Sequence, residues 1–137
     1  RLWLPPEHEL LQLDSIDLQT LEQQPMILLN VDEMEKRIRD LWNSAHSRPQ
    51  VSMRSSSVEA VRSLVSAGMG LALMPDMTYR PWSVEGDRVE ARHIPQISDT
   101  LDIGLAWRRG GARNPVIDHF LPVARESLPA RQPLAVS

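Results

Sequence analysis

Residues 51–75 read VSMRSSSVEAVRSLVSAGMGLALMP, and this order predicts a strand, a helix and a second strand in succession. Ser56 and Glu59 have the spacing of a capping box, which predicts that a helix starts beside them. Apolar residues recur at helical spacing as far as Gly68, a residue typical of a helix end. The apolar run that follows closes at Pro75, as a buried strand does.

The turn between this first strand and the helix carries three consecutive hydroxyls, those of Ser55, Ser56 and Ser57. In an open α/β sheet, ligands bind beyond the carboxyl ends of the strands, where helix N-termini attract anions. Two interpretations are open from the residues alone. One serine caps the helix while the others are solvated turn residues, or the hydroxyls also contact a ligand.

The remaining chain repeats the alternation of strand and helix. Asp32 has the character of an N-cap for a helix over residues 33–45, whose apolar stripe includes Trp42 as a core residue. Alternating residues predict an edge strand over 88–94 and a further strand over 101–107. The order predicts an α/β fold with a mainly parallel sheet.

The C-terminal part begins with Asn114 as a cap and Pro115 at the first helical position. This pair predicts a last helix, and Pro122 within it predicts a bend or an early end. Residues 128–137 contain two prolines and are expected to form a loose tail.

Composition restricts the function classes. The 137 residues carry a net charge of −3 and no cysteine, so disulfides and thiolate zinc sites are excluded. No apolar run approaches the length of a membrane-spanning helix, and residues 1–30 lack the features of a signal peptide. The positive charge is scattered, whereas a duplex-binding domain normally has a basic face. We therefore expect a protein that contacts neither membranes nor, through these residues, DNA.

Enzyme and metal motifs fail at specific positions. His8 and Glu9 begin like the zinc motif His-Glu-x-x-His, but position 12 is Gln. Gly68 and Gly70 begin like a dinucleotide-binding loop, but they follow a helix and position 73 is Leu. We expect no catalytic residue, no metal site and no cofactor. A small α/β enzyme with its catalytic residues elsewhere remains the last-ranked alternative.

The order of these motifs resembles the effector-binding domain of LysR-type transcriptional regulators. The likeness extends over about residues 1–127 and rests on the polar turn, the helix that ends in a Val-x-x-Gly-x-Gly pattern at residues 65–70, and the strand that ends at Pro75. Outside this unit it includes the N-terminal strand with Pro5-Pro6-Glu7-His8, the run Gln24-Pro25-Met26-Ile27 and the late Asn114-Pro115. The family usually has His-Pro-Leu where this chain has His8-Glu9-Leu10.

The resemblance implies a fold like that of type 2 periplasmic binding proteins, in which two α/β subdomains joined by crossing strands enclose a ligand. On that template, residues 20–98 form most of the second subdomain. Residues 1–10 and 101–127 supply the crossing strands and the closing helix, and 128–137 is a tail. The first subdomain and the DNA-binding winged helix would lie outside this chain.

The implied function is sensing of a small effector, anionic or aromatic, together with homo-oligomerisation. The resemblance and the position of the turn assign effector binding to Met53, Arg54, Ser55, Ser56, Ser57 and Pro75. Dimer contacts are expected over residues 58–74. The alternative is a solute receptor of a transporter, which would share the fold.

Overall fold

The secondary structure alternates strands and helices, as the sequence predicts. The computed structural model describes residues 1–97 and 114–127, and the chain divides into two compact units at residue 101, each described by itself. The first unit contains strands β1 (Leu2–Leu4), β2 (Pro25–Leu29), β3 (Gln50–Ser55), β4 (Ala72–Leu73) and β5 (Glu90–Arg92). Its α-helices are α1 (Leu18–Leu21), α2 (Asp32–Ser44) and α3 (Val58–Ser66), and short 3-10 helices span Glu9–Gln12 and Asp76–Thr78.

The strands form a mixed sheet. β2 and β3 pair in parallel, whereas β1 lies antiparallel to both β4 and β5. The two sets join at Leu71, whose N–H donates to the Pro25 carbonyl at 2.8 Å and whose carbonyl accepts from the Ile27 N–H at 2.7 Å. The strand order is therefore β3-β2-β4-β1-β5. The predicted parallel pairing holds for the β-α-β-α-β portion, and the N-terminal strand makes the remainder antiparallel.

The helices cover both faces of this sheet. Residues on one face pack against α2 and the N-terminal loops, and those on the other face pack against α3. Because side chains alternate along a strand, Leu2 and Leu4 lie on the α2 side and Trp3 lies on the α3 side. Trp42 of α2 is 3% exposed, which confirms its prediction as a core residue.

The predicted N-caps of α2 and α3 are each displaced by one residue. The N-cap of α3 is Ser57, whose Oγ accepts from the Ala60 N–H at 3.3 Å, so the capping box of Ser56 and Glu59 is wrong. The N-cap of α2 is Val31, which forms no side-chain cap hydrogen bond, so Asp32 is the first helical residue and not the cap. In each case the position of the cap depends on where the preceding strand ends, and sequence spacing alone does not determine that residue.

Gly68 and Gly70 have different reasons to be glycine. Gly68 follows the C-cap of α3 with φ +73°, as predicted, and an added Cβ would meet nothing within 4 Å. At Gly70, with φ +155°, a Cβ would lie 2.7 Å from the Pro25 carbonyl oxygen. Gly70 thus allows the close approach by which Leu71 joins the two sets of strands.

The predicted edge strand over residues 88–94 is shorter than expected, because only Glu90–Arg92 pairs with β1. Val89 is buried as the alternation predicts, but His93, expected on the same side, is exposed. Arg92 is held by the loop of the first 3-10 helix, since its guanidinium donates to the carbonyls of Leu11 and Leu13 at 3.0 and 2.6 Å. The chain turns before this strand at Gly86, which has φ +91°.

The second unit contains α4 (Pro115–Ser127), which begins as predicted: the Asn114 side chain accepts from the Val116 N–H at 3.0 Å. The helix does not end at Pro122 but continues to Ser127. Most of its apolar residues are exposed, with Phe120 at 52% and Val123 at 58%. The predicted strand over 101–107 and the predicted tail over 128–137 lie outside the described residues.

Candidate functional site

The carboxyl ends of β2 and β3 meet beside the start of α3. The Asn30 N–H, just after β2, donates to the carbonyl of Ser55, the last residue of β3, at 2.7 Å. If the parallel strands β2, β3 and β4 are numbered 1, 2 and 3 along the chain, their order in the sheet is 2-1-3. Doubly wound α/β sheets that begin in this order bind ligands beyond the carboxyl ends of the strands. The geometry therefore brings the predicted serine turn to the edge where α/β sheets bind ligands.

The three serines at this edge have different roles. Ser55 is half-buried, and its Oγ accepts from the Ser57 N–H at 3.2 Å, which closes a local turn. Ser57 caps α3. Ser56 is exposed, and among the described residues its hydroxyl has no hydrogen-bond partner. Ser56 is thus the hydroxyl of the three that is free to meet a ligand without competing with the fold.

Met53 and Arg54 lie on opposite faces of the sheet. A register shift between Met26 and Ile27 pairs Val51 with Met26 and Met53 with Ile27, so β3 carries an extra residue, Ser52. Met53 packs against the α3-side cluster. Arg54 lies on the α2 side, where its guanidinium is 3.4 Å from the Glu35 carboxylate. The two predicted site residues therefore do not line one surface together.

Pro75 ends the segment after β4 and is half-buried. Its carbonyl accepts from the Thr78 hydroxyl at 2.7 Å and from the Thr78 N–H at 3.1 Å, so it starts the second 3-10 helix. β4 runs next to β2 through the Leu71 junction, so this turn follows a neighbouring strand of the same edge. Pro75 and the serine turn therefore lie at the same edge of the sheet, after strands β4 and β3, which are separated by β2.

A groove of about 260 Å³ runs along α2 and the edge strand β3. Arg54 is the one predicted site residue that lines it, together with Glu35 and Trp42 of α2. Neither Asn30, which joins the two strand ends, nor Glu35 is among the residues predicted from sequence. The N-cap character assigned to Asp32 was the only sign that α2 begins at this edge.

Two negative findings apply to the part of the chain that the structure describes. Residues 1–97 and 114–127 contain no group of three or more His, Asp or Glu side chains placed to hold a metal ion. Over the same ranges, none of the helices has the length and apolar character needed to cross a membrane.

Comparison with known proteins identifies the same family as the sequence pattern. A family model for the LysR substrate binding domain matches residues 1–129. The HTH-type transcriptional regulator AlsR of Bacillus subtilis (strain 168) is 26% identical over 126 residues, which cover 90% of this chain and 40% of AlsR. The chain therefore spans about two-fifths of the length of the curated relatives it matches.

Solved structures show the same fold. HinK, a LysR family transcriptional regulator from Pseudomonas aeruginosa, superposes with a TM-score of 0.77 at 24% identity over 91% of this chain and 43% of its own. The effector binding domain of QuiR in complex with shikimate gives a TM-score of 0.51 at 25% identity over 55% of this chain and 36% of its own. AlsR and HinK are transcriptional regulators, and none of these proteins supports the transporter-receptor alternative.

Proposed function

The chain belongs to the LysR substrate-binding domain family, and on this premise we propose that it senses a small effector for a LysR-type transcription regulator. The family is one of regulator domains and not of enzymes. The regulator would act in the cytoplasm, where it reaches DNA through a winged helix outside residues 1–137. Effector binding would shift the equilibrium between arrangements of the oligomer that hold DNA differently.

The observation that carries this proposal is the contact between the Asn30 N–H and the Ser55 carbonyl. It places the ends of two parallel strands and the first turn of α3 at one edge. The first amide groups of a helix have no intrahelical acceptor, and Ser57 satisfies that of Ala60. The remaining first-turn amides and the Ser56 hydroxyl can donate to an anion or to a hydroxylated ring.

These donors and a related structure support the proposed effector class. A site of hydroxyls and backbone amides suits a small acid, and QuiR has been captured with shikimate. We assign Ser55, Ser56 and Ser57 to the rim of the site, with Pro75 as an adjoining wall. Met53 would support this rim from the side of the sheet that faces α3, where it packs against the α3-side cluster. Arg54 would reach this rim only by leaving Glu35.

The larger architecture we propose is that of a type 2 periplasmic binding protein. The first unit is then one jaw of a cleft, with the second subdomain over residues 20–98 and β1 as a crossing strand. The exposed apolar side of α4, which includes Phe120 and Val123, would pack on the first subdomain. The effector would lie between the jaws.

The regulator is expected to be a homo-oligomer. Within residues 58–74, the predicted contact region, β4 is interior to the sheet because it pairs with β1 and adjoins β2 through Leu71. The open surface there consists of the outward side of α3 and the exposed turn at residues 67–69. We therefore restrict the proposed contact to that helix and turn, since the inner residues Val61 and Val65 are fully buried.

The test replaces Ser56 with tryptophan in the full-length regulator and measures the effector response with a promoter reporter. Because Ser56 is neither the cap nor buried, the fold should survive while the response is lost. Ser44→Trp, at the C-terminal end of α2 and so at the opposite edge of the sheet, is the matched control. An unchanged response in the Ser56 variant would remove the serine turn from the effector site.

A further inference from the structure

The groove along α2 and β3 has an apolar floor. Ile38 and Trp42 of α2 are 8% and 3% exposed, and they line the groove with Leu28 of β2 and Val51 of β3. Its volume, about 260 Å³, lies just below the usual range for pockets that hold drug-sized ligands. The space fits a ligand of one ring or a short alkyl chain.

The walls of the groove carry excess positive charge. Arg39, Arg48 and Arg54 line it, against the single carboxylate of Glu35. Glu35 is 3.6 Å from the Arg39 guanidinium and 3.4 Å from that of Arg54, so it is shared by two cations. No described residue pairs with the guanidinium of Arg48. In a chain whose net charge is −3, the groove is a local cationic site.

Two features of the backbone build this arrangement. The extra residue at Ser52 places Arg54 on the α2 side of the sheet. The turn before β3 is fixed by the Arg48 N–H, which donates to the Glu22 carboxylate at 3.0 Å. The Arg48 side chain stays exposed, so its guanidinium can meet a ligand while its backbone remains anchored.

From these observations we propose that the groove binds a small amphipathic carboxylate, an aryl or short alkyl acid. Its apolar part lies on Trp42 and Ile38, and its carboxylate accepts from the Arg48 guanidinium, with Arg54 able to turn from Glu35. Guanidinium binds carboxylate bidentately and stacks on apolar surfaces, which suits this pairing. The site is distinct from the serine turn, and it does not depend on the function proposed for that turn.

The experiment titrates the full chain with sodium benzoate and with sodium hexanoate, and follows backbone and indole N–H resonances by NMR. Saturable shifts at Trp42 and Arg48 are expected. Benzyl alcohol, which lacks the charge, should bind at least about tenfold more weakly, since a charge-assisted contact contributes a difference of that order. Affinity for the two acids should fall as salt is added.

Three variants separate the site from a general charge effect. Arg48→Gln should weaken benzoate binding about tenfold, while Arg125→Gln on α4 removes the same charge and should leave it unchanged. Glu35→Gln should strengthen binding several-fold because it releases two guanidiniums. Arg48→Gln keeps the backbone bond to Glu22, and its unfolding temperature checks that the fold is intact.

Several results would overturn the proposal. One is the absence of saturable binding by either acid. Others are shifts confined to residues 55–57 and 75, or equal weakening by the Arg48 and Arg125 variants. A dimer in sedimentation, with Trp42 and Arg48 resonances that shift with chain concentration and with acid binding excluded, would also overturn it. If the Ser56 variant loses the reporter response and neither acid binds in the titrations, the proposed effector site at the serine turn is retained and only the proposal for the groove is rejected.

Discussion

The guanidinium of Arg62 lies 4.6 Å from the ring centre of Trp3, and both side chains are buried. Arg62 belongs to α3 and Trp3 to β1, so a cation is stacked on an indole between a helix and the sheet. Tyr79 packs edge-on against the same indole, with 6.3 Å between ring centres, and its hydroxyl donates to the Val89 carbonyl at 3.0 Å. The segment after Pro75 is thereby held against the sheet.

A buried cation is stable only when its hydrogen bonds are made. Arg62 donates to the carbonyls of Thr78 and Arg80, each at 2.8 Å, and to the Glu59 carboxylate at 3.1 Å. Glu59 is itself about half exposed, so the pair is solvated on one side. The arginine therefore ties the loop of residues 78–80 to α3 and β1.

Replacing Arg62 with methionine should lower the free energy of unfolding by about 3 kcal/mol, because two carbonyls lose their donor and the stacked cation is removed. Arg62→Lys should recover little, since one ammonium cannot span both carbonyls and the ring. Urea unfolding measures both. Arg88→Met is the control: its guanidinium is 5.7 Å from the exposed Trp82 ring, so the loss should stay below about 1 kcal/mol. Equal losses for Arg62→Met and Arg88→Met would contradict this account.

Gly70→Ala should destabilise the fold far more than Gly68→Ala. At Gly70 the new Cβ would meet the Pro25 carbonyl at 2.7 Å, and the backbone that joins β2 to β4 would have to move. At Gly68 the space is open, so only the left-handed backbone opposes alanine, at about 1–2 kcal/mol. Thermal unfolding of the two variants tests the difference, and similar melting temperatures would show that the junction yields easily.

The alternating order of elements was predictable because helix and strand periods differ and glycine and proline mark the ends. The family resemblance seen in the sequence is confirmed by the family model over residues 1–129. The antiparallel placement of β1 was not predictable from its three residues. It depends on pairing with Leu73 and Arg92, far along the chain.

The site was predicted at the level of the turn but not of each side chain. The resemblance and the position of the turn assigned Met53 and Arg54 to one site, although adjacent strand residues point to opposite faces of a sheet. Which face each residue takes depends on the bulge at Ser52, and so on the register of β3 against β2. Three consecutive serines each have the chemistry to cap a helix. Ser57 is the N-cap because β3 ends at Ser55, and the spacing between Ser56 and Glu59 does not indicate where that strand ends.

Asp17 caps the short helix α1 and should give the fold a measurable dependence on pH. Its carboxylate accepts from the Thr20 hydroxyl at 2.6 Å and from the Thr20 N–H at 2.7 Å, and these bonds lower its pKa below the usual 3.8. The folded state therefore binds this proton less readily than the unfolded chain. The contribution of the Asp17 cap to stability is complete at pH values above the pKa of Asp17 in the unfolded chain. It is lost as the pH falls through the lower pKa of Asp17 in the folded state.

Carboxyl carbon NMR of Asp17 across an acid titration measures this pKa. Thr20→Val removes the hydroxyl donor and should return the pKa toward 3.8, while stability near neutral pH falls slightly. A variant that titrates like the wild type would show that the Thr20 hydroxyl does not hold the charge.

Ser57→Ala and Ser56→Ala should separate the stability of the turn from its proposed binding role. Ser57 supplies the cap of α3, so its loss should cost about 1 kcal/mol in the free energy of unfolding. Ser56 makes no hydrogen bond among the described residues, so its replacement should leave stability within about 0.5 kcal/mol. If Ser56 donates to the effector, its alanine variant weakens the reporter response while the fold is unaltered. Urea unfolding and the reporter, measured on the same two variants, decide whether the exposed hydroxyl serves the ligand or the helix.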